Sequence, residues 1–492
     1  MKKLLLSIDQ GTTSSKSILF DLKGKKFFLS QYEFKQIFPN LGWVEHNPEE
    51  IWRVTLKTIK EAIKKSKRLK AKIISIGITN QRETTILWNK ITGKPVYNAI
   101  VWQDRRTSKI CENLKKRKLE SLFRKKTGLF IDPYFSATKV KWILDNIPSA
   151  KKLLKNKQLM FGTIDTFLIW RLTNKKNHLT DATNASRTLM YNINSNKWDD
   201  ELLKKLKIPK SILPEVKNSA DNFGKTSKKI IGKEIPILAV LGDQQAAAVG
   251  QACFDKGSVK STYGTGAFAI INTGNKIILS KNKLLTTICY RLKNKNTYAL
   301  EGSIFIAGAG VQWLRDKIKL INNAYETEKI AKSKIDNDGV YIVPAFTGLG
   351  APYWSAESKG LITGLTRNTD WKNIVRAVIE SVAYQSYDLF EAMRKDGSRP
   401  KIIKVDGGMV ANNWFAQFLS DILNTKVLRP VIQETTALGV AYFAGYQAGE
   451  FKSLEEIKNK WKKDAIFSPK ISQKQRNYLL QGWRQAIRKT LA

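Results

Sequence analysis

The chain has 492 residues, 42% of them hydrophobic, which suffices for two domains with separate buried cores and excludes a single small one. Lysine and arginine number 85 against 42 acidic residues, a formal charge of +43. The excess is lysine, scattered in pairs through 64–72, 151–157 and 225–233, with no arginine-rich tail, aromatic-interleaved RNA signature or zinc finger. It reads as solvated lysine faces, and no nucleic-acid partner is expected.

No apolar run approaches the roughly 20 residues of a membrane-crossing helix, so no integral membrane segment is expected. Residues 1–8 lead directly into a polar turn without a small-residue cleavage site, and secretion is not expected either. Cys111, Cys253 and Cys289 are too few and too scattered for a disulfide framework or a zinc knuckle, which fits a reducing cytoplasm.

In chain order, 4–8 reads as a strand, Gly11 as a turn, 17–20 as a second strand, 48–65 as an amphipathic helix and 73–78 as another strand. Strands and lysine-rich helices then alternate to about residue 250, with helices expected at 137–146 and 159–172. Near residue 255 the theme restarts. Residues 257–261 enter a Tyr263-Gly264-Thr265-Gly266 turn and a strand at 267–272. A helix at 371–394, a strand at 402–405 and helices at 413–423 and 473–489 follow. Two α/β halves, each opening on a Gly/Thr hairpin, predict two related lobes around a cleft, divided as 1–250 and 251–492.

Five constellations carry chemistry. In Asp9-Gln10-Gly11-Thr12-Thr13-Ser14-Ser15-Lys16, glycine frees a tight turn so that backbone N–H groups and hydroxyls converge on one anion. Asp9 there is placed to hold a magnesium ion through water. Ser261-Thr262-Tyr263-Gly264-Thr265-Gly266 repeats the chemistry in the second half and supplies a second hand on a polyphosphate. Gly242-Asp243-Gln244-Gln245 ends an apolar strand with a carboxylate, suited to accept an alcohol's proton during phosphoryl transfer or simply to cap the next helix. Asn80-Gln81-Arg82-Glu83 offers a guanidinium fork beside a carboxylate, the complement of neighbouring hydroxyls, with Trp102, Tyr134 and Phe268 as candidate walls. Val405-Asp406-Gly407-Gly408 with Asn412 permits close approach of a purine and its ribose. P-loop and dinucleotide fingerprints fail: Ser219 stands where a P-loop before Gly224-Lys225-Thr226 needs glycine, and Gly308-x-Gly310 and Gly348-x-Gly350 lack a third glycine.

Taken together and in this order, these motifs resemble the FGGY carbohydrate kinase family, in the version of its glycerol-phosphorylating members. The likeness extends through Gly42-Trp43-Val44-Glu45-His46, 134–146, 345–354, 360–380, 405–423 and 436–445. It implies two actin-like or hexokinase-like lobes of ribonuclease-H type closing on ATP and a polyol, glycerol first. Arg82, Glu83, Tyr134, Asp243 and Gln244 would hold the hydroxyls, with Trp102 and Phe268 on the carbon backbone and Asp243 as base. Thr12, Thr13, Ser14, Lys16, Thr265, Gly308, Gln312, Gly408 and Asn412 would hold the nucleotide, and Asp9 and Asp243 the magnesium ion. Lys16 stands where the family often has arginine, which removes a bidentate phosphate contact. The glycine-rich basic loop through which fructose 1,6-bisphosphate inhibits some members is missing from 225–234, so that inhibition is not expected. A homodimer or homotetramer is expected. Another polyol or dihydroxyacetone as substrate, or a nucleic-acid-associated protein with a vestigial kinase fold, are the alternatives.

Overall fold

The computed structural model describes residues 1–355 and 357–492. Leu4, Leu5, Leu6 and Ile8 are all fully buried, so the strand Lys2–Gln10 is covered on both faces along its middle, where three consecutive leucines replace an alternating pattern. It pairs antiparallel with Ser14–Phe20 and parallel with Ala71–Asn80. The first sheet runs Ile237–Gly242, Ala71–Asn80, Lys2–Gln10, Ser14–Phe20, Lys26–Glu33.

The second sheet has seven strands, in the order Leu285–Leu292, Lys295–Ile304, Ala267–Gly274, Val259–Tyr263, Ile402–Asp406, Lys426–Pro430, Lys463–Phe467. Within it, Lys295–Ile304, Ala267–Gly274 and Val259–Tyr263 form an antiparallel triplet, and Ile402–Asp406 and Lys426–Pro430 extend it in parallel. The first sheet has the same arrangement, an antiparallel triplet extended by two parallel strands. This doubled core is the expected pair of actin-like α/β lobes.

Each sheet carries a well-capped helix. Pro48–Arg68 starts on Asn47, whose side chain accepts the Glu49 N–H at 2.9 Å, with Pro48 at the first helical position and Lys65, Lys67 and Arg68 at the negative end of the helix dipole. Trp371–Lys395 starts on a reciprocal capping box between Asp370 and Asn373. The C-terminal helix Gln473–Leu491 crosses the second lobe, burying Leu480, Trp483 and Ala486, and Trp483 Nε1 donates to Asp388 at 2.7 Å.

Between the sheets lie two helices, Asp243–Gly250 and Thr435–Gln447. They touch backbone to backbone: a Cβ on Gly439 would sit 1.9 Å from the Ala246 carbonyl oxygen, and one on Gly250 the same distance from that of Thr435. Thr435–Gln447 also rests on the first sheet at Gly77, where a Cβ would lie 2.5 Å from the Val440 oxygen. It is apolar nearly all round because it is covered nearly all round.

One expected element differs. Residues 159–172 form a strand, Leu159–Gly162, paired with Ile86–Asn89, and then a helix, Ile164–Leu172. The break is polar: Asp165, fully buried, accepts the Thr163 and Thr180 hydroxyls at 2.5 and 2.6 Å. Burial pushes the Asp165 carboxyl up to about 7 in spite of those donors.

Two outcomes follow from this packing. Gly439→Ala forces two backbones apart and is expected to destabilise by about 1–3 kcal/mol or more, read as a lower thermal midpoint. The Asp165 proton is held in the folded chain and released in the unfolded one between about pH 4 and 7, so stability contributed by this group falls as pH rises through that window. Asp165→Asn is expected to flatten that slope in denaturant titrations across pH.

Candidate active site

Three parallel strands of the first sheet end side by side, with Asp9 opposite Thr79 and Gly242 opposite Asn80. Their carboxyl ends deliver Asp9, the segment Asn80–Gln81–Arg82–Glu83 and Asp243 to one crevice, the position where open α/β sheets take ligands. Asp243 is the first residue of its helix, with Gly242 at the cap, and only one of its carboxylate oxygens is engaged at the helix start. One oxygen accepts the Gln244 N–H at 2.7 Å and lies 3.2 Å from Arg82 Nε, while 30% of the side chain stays open to the cleft. Withdrawal from water raises the Asp243 carboxyl, opposed by Arg82 and Lys260.

The hairpin turn closes through Gly11 N–H to the Ser14 carbonyl at 2.9 Å. Thr13 is exposed at its tip, and the buried Ser14 hydroxyl accepts from Gln31 at 3.0 Å. Trp102 joins the two hairpins. Its Nε1 donates to the Thr12 hydroxyl at 3.0 Å, and its ring lies edge-on to Phe268, three residues past Thr265, and to Tyr134, with centroids 6.1 and 5.7 Å away. The three aromatic residues named from sequence thus form one wall. Asp9 and Lys16 are cross-strand neighbours, and Lys16 reaches Glu434 at 3.3 Å. Burial raises Asp9 to about 6; Lys16 opposes that, while Glu434 and Asp243 add to it.

Arg82 does not present its fork to the cleft as the sequence suggested. Nη1 and Nη2 both donate to Glu301, at 2.5 and 2.9 Å, with further contacts to Gln245 and the Tyr134 hydroxyl, which leaves the Nε edge facing Asp243. Glu83, at a left-handed φ of 60°, is held by Arg187 Nε at 2.6 Å. Arg187 also donates to Glu301 at 3.0 Å. Arg82, Arg187, Glu83 and Glu301 are essentially without solvent contact. Although burial alone would raise it, Glu301 is held down at about 2 by the two guanidinium groups. Gln244 accepts from Lys260, whose ammonium also bonds the Thr262 hydroxyl at 2.9 Å and the Phe268 carbonyl at 3.2 Å.

On the second sheet the same strand-end geometry gathers the other glycines. Gly308 N–H donates to the Gly264 carbonyl at 2.8 Å, Gly407 at φ 95° lies flat on the Tyr263 backbone, and Gly408 faces open space. Thr265 accepts the Ala307 and Ala309 N–H groups through its carbonyl and leaves its side chain exposed, as is Gln312 one helical turn on. Asn412 is committed elsewhere: its oxygen caps the Asn413–Leu423 helix through Phe415 N–H, and its amide donates to Thr327 at 3.2 Å.

Two domain families match the chain in tandem: the N-terminal domain of the FGGY family of carbohydrate kinases over residues 4–250 and its C-terminal domain over 259–448. The chain belongs to the FGGY family of carbohydrate kinases. A glycerol kinase of Petrotoga mobilis is 54% identical over 488 residues, covering 99% of this chain and 98% of that one. A glycerol kinase of Rhizobium meliloti is 55% identical over 490 residues, covering 99% of each. Among solved FGGY structures, Plasmodium falciparum glycerol kinase with ADP superposes with a TM-score of 0.93 at 40% identity, over 100% of this chain and 99% of that one. A gluconate kinase of Lactobacillus acidophilus, 23% identical, shares the fold with a TM-score of 0.87, over 98% of this chain and 96% of its own.

Sequence reading missed Arg187, Lys260, Glu301 and Glu434. Two left a signal: Lys260 and Glu301 each put a charge inside a strand, and a charge buried in a sheet must find a partner. Trp102→Phe keeps the aromatic wall and removes the bond to Thr12. One hydrogen bond of about 0.5–1.5 kcal/mol corresponds to a loss of about 2–10-fold in kcat/KM for the phosphoryl acceptor, measured by steady-state kinetics.

Proposed function

We propose that the chain transfers the γ-phosphoryl group of ATP to glycerol, giving sn-glycerol 3-phosphate and ADP. The observation that carries this reading is Asp243: a carboxylate partly open to the cleft, raised toward basicity and flanked by the Nε edge of Arg82. The small polyol as substrate is supported by the glycerol kinases that match almost the whole chain at 54–55% identity.

In this mechanism Arg82, Glu83, Tyr134 and Gln244 orient the hydroxyls while Trp102 and Phe268 pack on the carbon chain. Asp243 accepts the proton of a terminal hydroxyl, whose oxygen attacks the γ-phosphorus in line as the bond to the ADP oxygen breaks. The turn at 11–14, with Thr12, Thr13, Ser14 and Lys16, receives the phosphates from the first lobe. Thr265, Gly308, Gln312 and Gly408 receive the nucleotide from the second, and Asn412 keeps one amide hydrogen for it. Residues 1–250 are thus assigned to the acceptor and phosphates and 251–492 to the nucleotide.

Among the described residues no group of three or more His, Cys, Asp or Glu is arranged to hold a metal. Magnesium does not require one, since it keeps water and phosphate ligands around one or two protein carboxylates. Asp9 and Asp243 fit that need: Asp9 lies within the field of Asp243, and the two come from nearby strand ends of one sheet. They would hold the ion, which when bound offsets charge on the β- and γ-phosphates.

Among the described residues no helix is long and apolar enough to cross a membrane, and the three cysteines are free and buried. A cytoplasmic location belongs to the same proposal.

Coupled measurement of ADP release over a panel of polyols and ketoses with Mg-ATP is expected to give the highest kcat/KM for glycerol; no turnover with glycerol would sink the reading. Asp243→Asn is expected to lower kcat by about 10²–10⁴ while nucleotide affinity stays within about twofold. Full turnover in that variant removes Asp243 from the role of base.

A further inference from the structure

The second sheet turns one row of side chains toward the first lobe. Across adjacent strands Lys260 stands opposite Ile270, Ile270 opposite Glu301, and Glu301 opposite Leu285, so Lys260, Ile270 and Glu301 share a face. Ile270 packs into the apolar cluster of Leu241, Ala246 and Val249, at the root of the Asp243 helix. On either side of that apolar contact a charged group reaches into the acceptor site: Lys260 to Gln244, and Glu301 to Arg82 and Arg187.

The ion pairs form a chain of alternating sign, Asp243–Arg82–Glu301–Arg187–Glu83, bridged by a longer contact of 3.9 Å between Arg82 Nε and Glu83. Its two ends are the carboxylates assigned to the acceptor, and its centre is a residue of the other lobe. Because Glu301 occupies both terminal nitrogens of Arg82, the guanidinium plane is fixed with Nε toward Asp243. Because it also holds Arg187, it fixes the partner that orients Glu83.

We infer that Glu301 is a positioning residue for the phosphoryl acceptor, a pin from the second lobe that sets the orientation of Arg82 and Glu83, so that the acceptor site is complete only when the two sheets are docked. Lys260 plays the lesser part of the same pin at Gln244. The nucleotide-facing turns at 264–266 and 407–408 make no contact with Glu301 in the hydrogen-bond network, so removing it should divide the two substrates.

This rests on the kinase reading above, and wild-type turnover over the acceptor panel tests that reading by itself. Glu301 is then tested by comparing variants with wild type on whichever acceptor the panel identifies. Glu301→Gln is expected to raise KM for the acceptor by about tenfold or more, with KM for ATP and directly titrated ADP affinity within about twofold of wild type. Glu301→Asp keeps the charge but withdraws it by one methylene, and an intermediate rise in acceptor KM is expected. A merely structural role would lower the thermal midpoint and weaken both substrates alike, or lower the yield of active enzyme without changing either KM; each result overturns the inference. Should Glu301→Gln fail to fold, Glu301→Asp decides, and an unchanged acceptor KM in that variant overturns it as well.

Discussion

A charge taken out of water is tolerated only where hydrogen-bonding partners meet it, and the proposed acceptor site contains five charges that meet one another in a row. Two arginines and three carboxylates alternate along the cleft wall, four of them essentially without solvent contact. Truncating one member of a buried network of this kind typically costs 3–5 kcal/mol, because the partner is left exposed to the low dielectric around it. The network therefore tolerates few orientations, the rigidity that the base proposed at Asp243 requires. Asp243, at the open end, is the one member with surface to spare for a ligand.

The doubled sheet explains how one cleft obtains both halves of a phosphoryl transfer. In each lobe the strands that matter end at the same edge. The first edge supplies carboxylates and hydroxyls, and the second supplies glycines whose missing side chains leave backbone open. Trp102 bridges them by hydrogen-bonding one hairpin and packing its ring on the strand that follows the other.

Much of this was legible before any coordinates. Apolar runs such as 4–8 and 73–78 mark strands buried on both faces, and the Gly/Thr turns, Asp243 and the Arg82–Glu83 pair stand out because their chemistry interrupts those runs. What stayed hidden depends on distance along the chain. Arg82 and Glu301 are 219 residues apart, and nothing local to Arg82 shows that its fork is already taken. That Asn412 also caps a helix was equally hidden, because helix capping and ligand binding call for the same side chain. The helix expected over 159–172 opens on an apolar stretch that suits either element, and the pairing of Leu159–Gly162 with the distant Ile86–Asn89 makes its first four residues a strand.

The return of Thr435–Gln447 to the first sheet bears on how the chain is made. During vectorial synthesis the strands of that sheet leave the ribosome long before residue 435, and until then the face at Gly77 has no cover. The first half is consequently an open sandwich waiting for its lid while the second half is still being translated. Completion of either lobe is thus a late, shared event, and the nascent chain carries an exposed apolar surface for most of its elongation.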